Sequence, residues 1–384
     1  MNLRSVCIRA LCVILAVFII PVGIWGYSKA APYLMSVASS SAGLVMGDFD
    51  TFSFRCESSS AAESFAVFEP VSTVRRSAWD IDMAPKELEI PSENNEIPVP
   101  KPSAEVLGAI PYPEQMENHD GVIENYHYGK YSGEQYFDLD NGGQVRNCTE
   151  LSNELLYAES KKEPAFSPDK NSDQPQILIY HTHATESFEP YQRDYYDSSF
   201  TCKTTDPQKS IIAVGDEICK QLDAAGIPYI HDTLVHDYPS YNGSYDSSRA
   251  TVQEILKEYP SIKIALDIHR DGIEREDGTR LAPIAEIDGK NAAQIMIISG
   301  CDDGTMGMPD YLYNFRFASL LQSTCETMYS GLTRPILFDY RFYNQDLTTG
   351  SLLIEVGSHG NSLDQAIYSG ELIGKALVEI FNES

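Results

Sequence analysis

The sequence has no Cys-x-x-Cys pair, no Gly-x-Gly-x-x-Gly loop and no Gly-Lys-Ser/Thr phosphate loop. Thiolate zinc ribbons, dinucleotide folds and P-loop nucleotide chemistry are thereby excluded on motif grounds. Basic side chains are scarce: 28 Lys plus Arg stand against 56 Asp plus Glu, a formal net charge of −28. Phosphate backbones need a basic footprint, so nucleic acid is excluded as the main partner, as is adsorption to an anionic membrane surface. The eight cysteines fall at long, irregular spacings and form no disulfide framework, which a chain of 384 residues does not need. What is present suffices for a core. Hydrophobic residues make up 42% and charged residues 22%, so the chain is not disordered from end to end. At about 150 residues per domain the length suggests two or three units.

Arg4 and Arg9 precede an uncharged apolar run from Ala10 to Tyr27. Its 18 residues approach the length needed to cross about 30 Å of hydrocarbon as a helix. Pro21 would kink such a helix, which membrane spans tolerate, and Trp25 and Tyr27 sit where an interfacial belt would lie. Arginines ahead of the run put the N-terminus in the cytoplasm and the rest outside. A cleaved signal peptide is the rival reading. The run exceeds the usual h-region and no small-x-small site comes directly after it, so a retained anchor over residues 1–27 is expected.

Residues 28–170 carry 24 acidic and 11 basic side chains, and six prolines fall between Ile90 and Glu114. Proline removes backbone donors and resists both helix and sheet, so this segment reads as an acidic, partly disordered linker outside the cytoplasm. Its tyrosine-rich end, Tyr126 to Phe137, can fold locally or pack on the next domain. From residue 171 onward the pattern changes. Residues 176–180, 228–232, 262–269, 294–300 and 351–357 read as strands. Residues 209–227, 247–259, 313–329 and 362–381 read as helices, with Gly226 and Pro260 as stops and Ser362 as an N-cap. Alternating strands and helices predict an α/β domain over 171–384: a mostly parallel central sheet with helices on both faces. Sites in such sheets form beyond the carboxyl ends of the strands.

Three strand ends carry capable chemistry. The first offers His181, His183 and Glu186; the second offers His269, Arg270 and Asp271 just after Asp267; the third offers Glu355 and His359. Imidazole and carboxylate donors suit Zn²⁺, whose catalytic sites keep three protein ligands and a water. If the extended period continues past the strand, His181 and His183 leave it on one face and converge. A lone His-x-His is a weak signal, and His119, His127, His231 and His236 read as satisfied structural histidines.

The blocks YHTHATES, GIPYIHDTLVHDYPSYNGSYDSSR, ALDIHRD, EIDGKNAAQIMIISG and LLIEVGSHGNSLDQA, in this order over residues 175–384, resemble the stage II sporulation protein P family. The resemblance implies a membrane-anchored peptidoglycan hydrolase of endospore-forming bacteria, acting in engulfment. It also implies kinship with zinc-dependent N-acetylmuramoyl-L-alanine amidases. Amide cleavage between muramic acid and the stem peptide is the implied activity, with endopeptidase action on cross-links as the alternative and a non-catalytic wall-binding scaffold as a third reading. The wider group presents a His–Glu–His zinc set and a catalytic glutamate on a late strand. By this resemblance His269 matches the second histidine and Glu355 the catalytic glutamate. The first histidine is His183 or His181, with His183 favoured by placing ILIY on the first strand. Glu186 is the candidate carboxylate ligand, at a spacing that departs from the wider group, and Glu217 is the alternative. Where the family often has GSNGN this chain has GSHGN, so His359 reads as an exposed loop histidine.

On this reading Glu355 is the general base for a zinc-activated water. Arg270 holds the oxyanion, grips a stem-peptide carboxylate or forms a salt bridge, and Asp267 or Asp271 orients a zinc histidine. Tyr238, Tyr241, Tyr245, Arg341, Phe342, Tyr343 and Asn344 either line a groove or serve packing. The resemblance also implies partnership with stage II sporulation proteins D and M. It places the domain between the mother-cell and forespore membranes, anchored by the N-terminal helix.

Overall fold

The computed structural model describes residues 74–76, 109–169 and 172–383. The anchor expected over 1–27 lies outside them, as does much of the expected linker. Among the described residues no helix is long and apolar enough to cross a membrane. In chain order the strands and helices begin with β1 (Val74–Arg76), β2 (Gly121–Tyr126), β3 (Tyr136–Asp138), β4 (Gln144–Asn147) and α1 (Asn153–Ser160). Then come β5 (Ile177–Tyr180), β6 (Tyr195–Tyr196), α2 (Ile212–Ala225), β7 (Tyr229–Asp232), α3 (Ser244–Glu258) and β8 (Ile264–Asp271). The chain ends with β9 (Arg280–Ile287), β10 (Lys290–Ala293), β11 (Ile295–Gly300), α4 (Tyr311–Met328), β12 (Ile336–Asp339), β13 (Gly350–Ser358) and α5 (Leu363–Glu383).

A nine-stranded sheet runs β1-β7-β5-β8-β13-β11-β12-β4-β3, and a four-stranded sheet runs β10-β9-β2-β6. Both are mixed, which corrects the expectation of a mostly parallel sheet. β7, β5, β8 and β13 are mutually parallel, but β11 runs antiparallel to β13, and β1 and β3 are antiparallel at the two edges. Parallel neighbours need a crossover, usually a helix. α2, α3 and α4 supply crossovers, whereas the connections from β8 to β11 and from β12 to β13 contain no helix. Direction reverses across both of them, and also between β4 and β5, whose connection carries α1. The β9–β10 hairpin turns on Asp288 and Gly289, both at positive φ (51° and 75°), as a tight hairpin turn requires.

Period-2 alternation sorts the central strands into two faces. Ile177 and Ile179 of β5, Ile264, Leu266 and Ile268 of β8, and Leu352, Ile354 and Val356 of β13 share one core with α2, α4 and α5. Leu178 and Tyr180 face the other way, against Val252 of α3. Helices therefore do cover both faces. Gly226 closes α2 in the left-handed conformation (φ 70°), and the Oγ of Ser362 lies 3.4 Å from the Gln365 N–H at the start of α5.

The boundary expected at residue 170 does not coincide with the edge of the fold. β4 pairs with β12, β3 pairs with β4, β2 pairs with β9, and Leu156 of α1 is fully buried in the main core. Ser152 caps α1 by accepting from Leu155 N–H at 3.2 Å. The second half of the acidic segment is thus part of the domain. Its strands are only three to six residues long, too short to announce themselves amid the prolines and carboxylates.

Candidate active site

Asp267, His269 and Asp271 alternate with the core residues of β8 and so face away from α2, and Glu355 does the same on β13. His269 and Glu355 are register partners on these adjacent parallel strands. Both stand at the carboxyl end of the sheet. β5 stops at Tyr180 and residues 182–185 form a turn. The extended period does not continue, so the two histidines part. His181 keeps the helix-side direction of Ile177 and Ile179, while the turn swings His183 to the opposite face.

His181 is fully buried. Its Nδ1 donates to the Ile268 carbonyl at 3.0 Å, and its Nε2 lies 2.9 Å from Nε2 of His231. Burial, helped by His231, drives its pKa down to about 3. A Cβ on Gly215 of α2 would stand 2.6 Å from Nε2 of both histidines. His181 is therefore a packing residue beneath α2 and is not gathered with the other candidates. Gly215→Ala would ordinarily favour a helix; here overpacking is expected to cost about 1–3 kcal/mol, read as a lower urea midpoint. An unchanged midpoint would show that the histidine pair is not rigidly packed.

His183 is 5% exposed. It stacks on Tyr241 (centroids 4.3 Å apart), meets Tyr245 edge-on at 5.4 Å, and stands perpendicular to His269 at 5.1 Å. Ser244 Oγ lies 3.4 Å from its Nδ1. Burial and the neighbouring His269 take its pKa down to about 3. His269 goes the other way. Burial opposes its charge, but Asp267, Glu186 and Glu355 outweigh that and carry it up to about 10. Asp267 Oδ1 is 2.8 Å from His269 Nε2, within ion-pair reach though off hydrogen-bond alignment, and Glu186 Oε2 is 3.8 Å from Nδ1. Asp267 is pinned by Thr182, which donates through N–H (2.8 Å) and Oγ1 (2.7 Å). Glu186 accepts from the Arg270 N–H at 2.9 Å, and burial raises its pKa.

Glu355 is buried, with Oε2 lacking a hydrogen-bond partner. Burial, then the nearby Asp271, push its pKa up to about 8 against the pull of His269 and Arg334. Asp271 is not directed at a histidine. Its Oδ2 accepts from Arg334 Nη1 at 2.8 Å in a buried ion pair that the sequence did not reveal. Glu217 lies on α2, 3.0 Å from Lys220, away from this cluster. Arg270 makes no ion pair among the described residues; its Nη1 and Nη2 donate to the carbonyls of Asp271 (2.9 Å) and Cys202 (3.5 Å).

Of the aromatic candidates, Tyr241 is 42% exposed over His183 and Tyr245 packs between His269 and Tyr343. Asn344 is buried and donates to the Tyr245 carbonyl at 3.1 Å. Arg341 pairs with Asp339 at 3.0 Å, and Phe342 lies under Arg249.

His359 is not exposed, contrary to expectation. Its ring is 12% exposed and lies 3.7 Å from Glu274. Burial drives its pKa down to about 4, despite Glu274. A histidine held neutral in the fold but protonated in the unfolded chain below pH 6.5 supplies stability that is lost as pH falls from 6.5 towards about 4. His359→Gln is accordingly expected to lose less melting temperature than the parent between pH 7 and pH 5. Glu186 and Glu355, raised by burial, act with the opposite sign in both chains, so the difference between the two chains is the readout. Equal losses would contradict the burial argument.

Among the described residues no three His, Cys, Asp or Glu side chains stand ready-made for a metal ion. The donor types nevertheless suit zinc: two imidazoles and a carboxylate around His183, His269 and Glu186, with an orphaned buried oxygen on Glu355, the register partner of His269.

The family model for stage II sporulation protein P matches residues 93–378. The chain belongs to this family. The match begins well before residue 170, in agreement with strands β2 to β4 being part of the folded unit. Stage II sporulation protein P of Bacillus subtilis (strain 168) is 28% identical over 253 residues, covering 61% of this chain and 59% of that protein, so the match spans less than two thirds of the relative's length. Among solved structures, N-acetylmuramoyl-L-alanine amidase AmiC2 of Nostoc punctiforme aligns with a TM-score of 0.33 at 12% identity, over 56% of this chain and 98% of that one. The CwlD amidase from Clostridioides difficile, solved in complex with the GerS lipoprotein, aligns with a TM-score of 0.34 at 10% identity, over 54% and 97%.

Proposed function

We propose that this chain is a zinc-dependent peptidoglycan hydrolase of endospore formation that cleaves the amide between N-acetylmuramic acid and the L-alanine of the stem peptide. The observation that carries this reading is the gathering of His183, Glu186, His269 and Glu355 at the carboxyl end of one sheet. Family membership supplies the sporulation context. On this reading His183, His269 and Glu186 hold the zinc. The ion, when bound, polarises the scissile carbonyl and lowers the pKa of water.

The chain's own groups do the rest. Glu355 is buried beside Asp271, and burial raises its carboxyl from the ordinary range towards neutrality, which favours returning a proton once it has been taken up. It takes a proton from the attacking water as the water oxygen bonds to the lactyl carbonyl carbon. When the C–N bond breaks, it gives that proton to the departing alanine nitrogen. Asp267 fixes the orientation of the His269 ring, and Thr182 fixes Asp267. Tyr241 and Tyr245 shield the cluster from bulk water.

With a net charge of −28, bulk attraction cannot bring the chain to an anionic wall. Tethering by residues 1–27 at the cell membrane, in the space between mother cell and forespore, and association with stage II sporulation proteins D and M would deliver it instead. The test is digestion of purified wall by the purified full chain, with mass spectrometry of the products and zinc analysis of the protein. Stem peptides with free alanine amines and zinc equimolar with protein are the expected result. Cross-link fragments still attached to muramic acid would show an endopeptidase, and unimpaired digestion after zinc removal would overturn the metal assignment.

A further inference from the structure

Most arginines around the domain are matched by carboxylates: Arg193 by Glu189, Arg249 by Asp346, Arg275 by Glu124, Arg316 by Glu159, Arg334 by Asp271 and Arg341 by Asp339. Two cations beside the candidate site are not. Among the described residues neither Lys203 nor Arg270 has a carboxylate oxygen within ion-pair distance. Lys203 lies opposite Glu186 in an isolated antiparallel bridge, and its Nζ stands 4.4 Å from the centre of the Tyr241 ring, which itself stacks on His183. Arg270 follows His269, holds Glu186 through its N–H, and carries a buried Nε with no acceptor. Asp237, the carboxylate that feels the charge of Lys203, accepts instead from the N–H and Oγ1 of Thr185. The fields of both cations reach His183, where each works against a positive imidazole.

Partly desolvated cations with no carboxylate in direct contact are costly, since Glu186 and Asp237 balance them only at a distance, and a chain with twice as many acidic as basic side chains has carboxylates to spare for them. Their being left open points to a counter-charge that arrives from outside. We propose that Lys203 and Arg270 form a subsite that grips a free carboxylate of the peptidoglycan stem peptide. This holds the scissile amide at the cluster of His183, His269 and Glu355. The inference rests on the peptidoglycan reading above and adds the chemical group that is recognised. The side of the cluster bearing the Cys202–Lys203 segment is then the stem-peptide side. Lys203, a half-exposed residue in a turn-rich segment, is its entry contact, and Arg270, anchored to two carbonyls, is its fixed wall.

Calorimetric titration of the full chain tests the subsite without requiring turnover. The probes are the tripeptide L-alanyl-γ-D-glutamyl-L-lysine with its carboxylates free and the same tripeptide fully amidated. A charge-assisted contact predicts that the free form binds about tenfold tighter. Lys203→Gln is expected to erase that preference and Lys203→Arg to preserve it. Equal affinity of the parent chain for the two peptides, no binding of either, or a Lys203→Gln loss that falls equally on both would overturn the subsite. Failure of the chain to cut wall would overturn the hydrolase reading separately, since the binding preference is read from peptides that are not cleaved.

Discussion

Glu355→Gln is expected to lower turnover on purified wall by about 10²–10⁴-fold, the range for removal of a positioned general base. The amide keeps the shape of the side chain but cannot take a proton. The variant should retain its zinc, because His183, His269 and Glu186 are untouched. It should also melt no lower than the parent, and higher in an assay at pH 9. Burial and Asp271 already penalise the charged form of Glu355, and glutamine carries no charge to penalise. Turnover within tenfold of the parent would remove Glu355 from the chemistry. Lost turnover together with lost zinc would instead make it a ligand. Steady-state release of stem peptides, zinc content and melting temperature, measured on the same preparations, separate these outcomes.

Arg334→Met is expected to carry the largest stability cost. Arg334 is 5% exposed, and its Nη1 is 2.8 Å from Asp271 Oδ2. Taking away one partner of a buried pair leaves the other as an uncompensated charge, at a cost of about 3–5 kcal/mol. The cost is compounded here, because Asp271 and Glu355 already repel each other across the β8–β13 pair and Arg334 is one of the two cations that moderate them. The double variant Arg334→Met, Asp271→Asn should recover a large part of the loss, since both charges then go together. Urea unfolding of the two single variants and the double variant closes the cycle. A loss below about 1 kcal/mol for Arg334→Met would mean that water or a rearranged side chain reaches Asp271, and that the pair does not tie the segment ahead of β12 to the end of β8.

The main run of the fold was legible because its signals are local. QILIY, PYIHD and IKIALDIH are apolar stretches of strand length, and the helices between them carry amphipathic spacing, a left-handed Gly226 and a Ser362 cap. The reversals of direction were not legible. They depend on which strands pair once the chain has folded; β10 and β12 are only four residues long, and the eight residues of β9 are interrupted by Pro283 and do not strictly alternate. The packing of residues 121–160 onto the sheet was hidden for a related reason. Short strands gain their stability from pairing with β9 and β12, which lie more than a hundred residues away.

In the candidate site, residue type and position at strand ends named His269, Glu186 and Glu355, because carboxyl ends of parallel strands collect polar groups whatever the details of the loops. For Tyr241 and Tyr245 the sequence reads first as packing and second as a groove lining; in the structure Tyr241 stacks on His183, and the Tyr245 ring lies parallel to His269 at 6.3 Å. The sequence alone determined that the chain is acidic, that its second half alternates strand and helix, and that imidazoles and carboxylates crowd three strand ends. Only the tertiary structure decided that His181 and His183 point to opposite faces, that Asp271 belongs to Arg334, and that Lys203 stands beside the cluster with no carboxylate among the described residues in ion-pair reach. The first set comes from chain-local periodicity and charge. The second depends on where a strand stops and a turn begins, and on contacts between segments that the chain brings together only by folding.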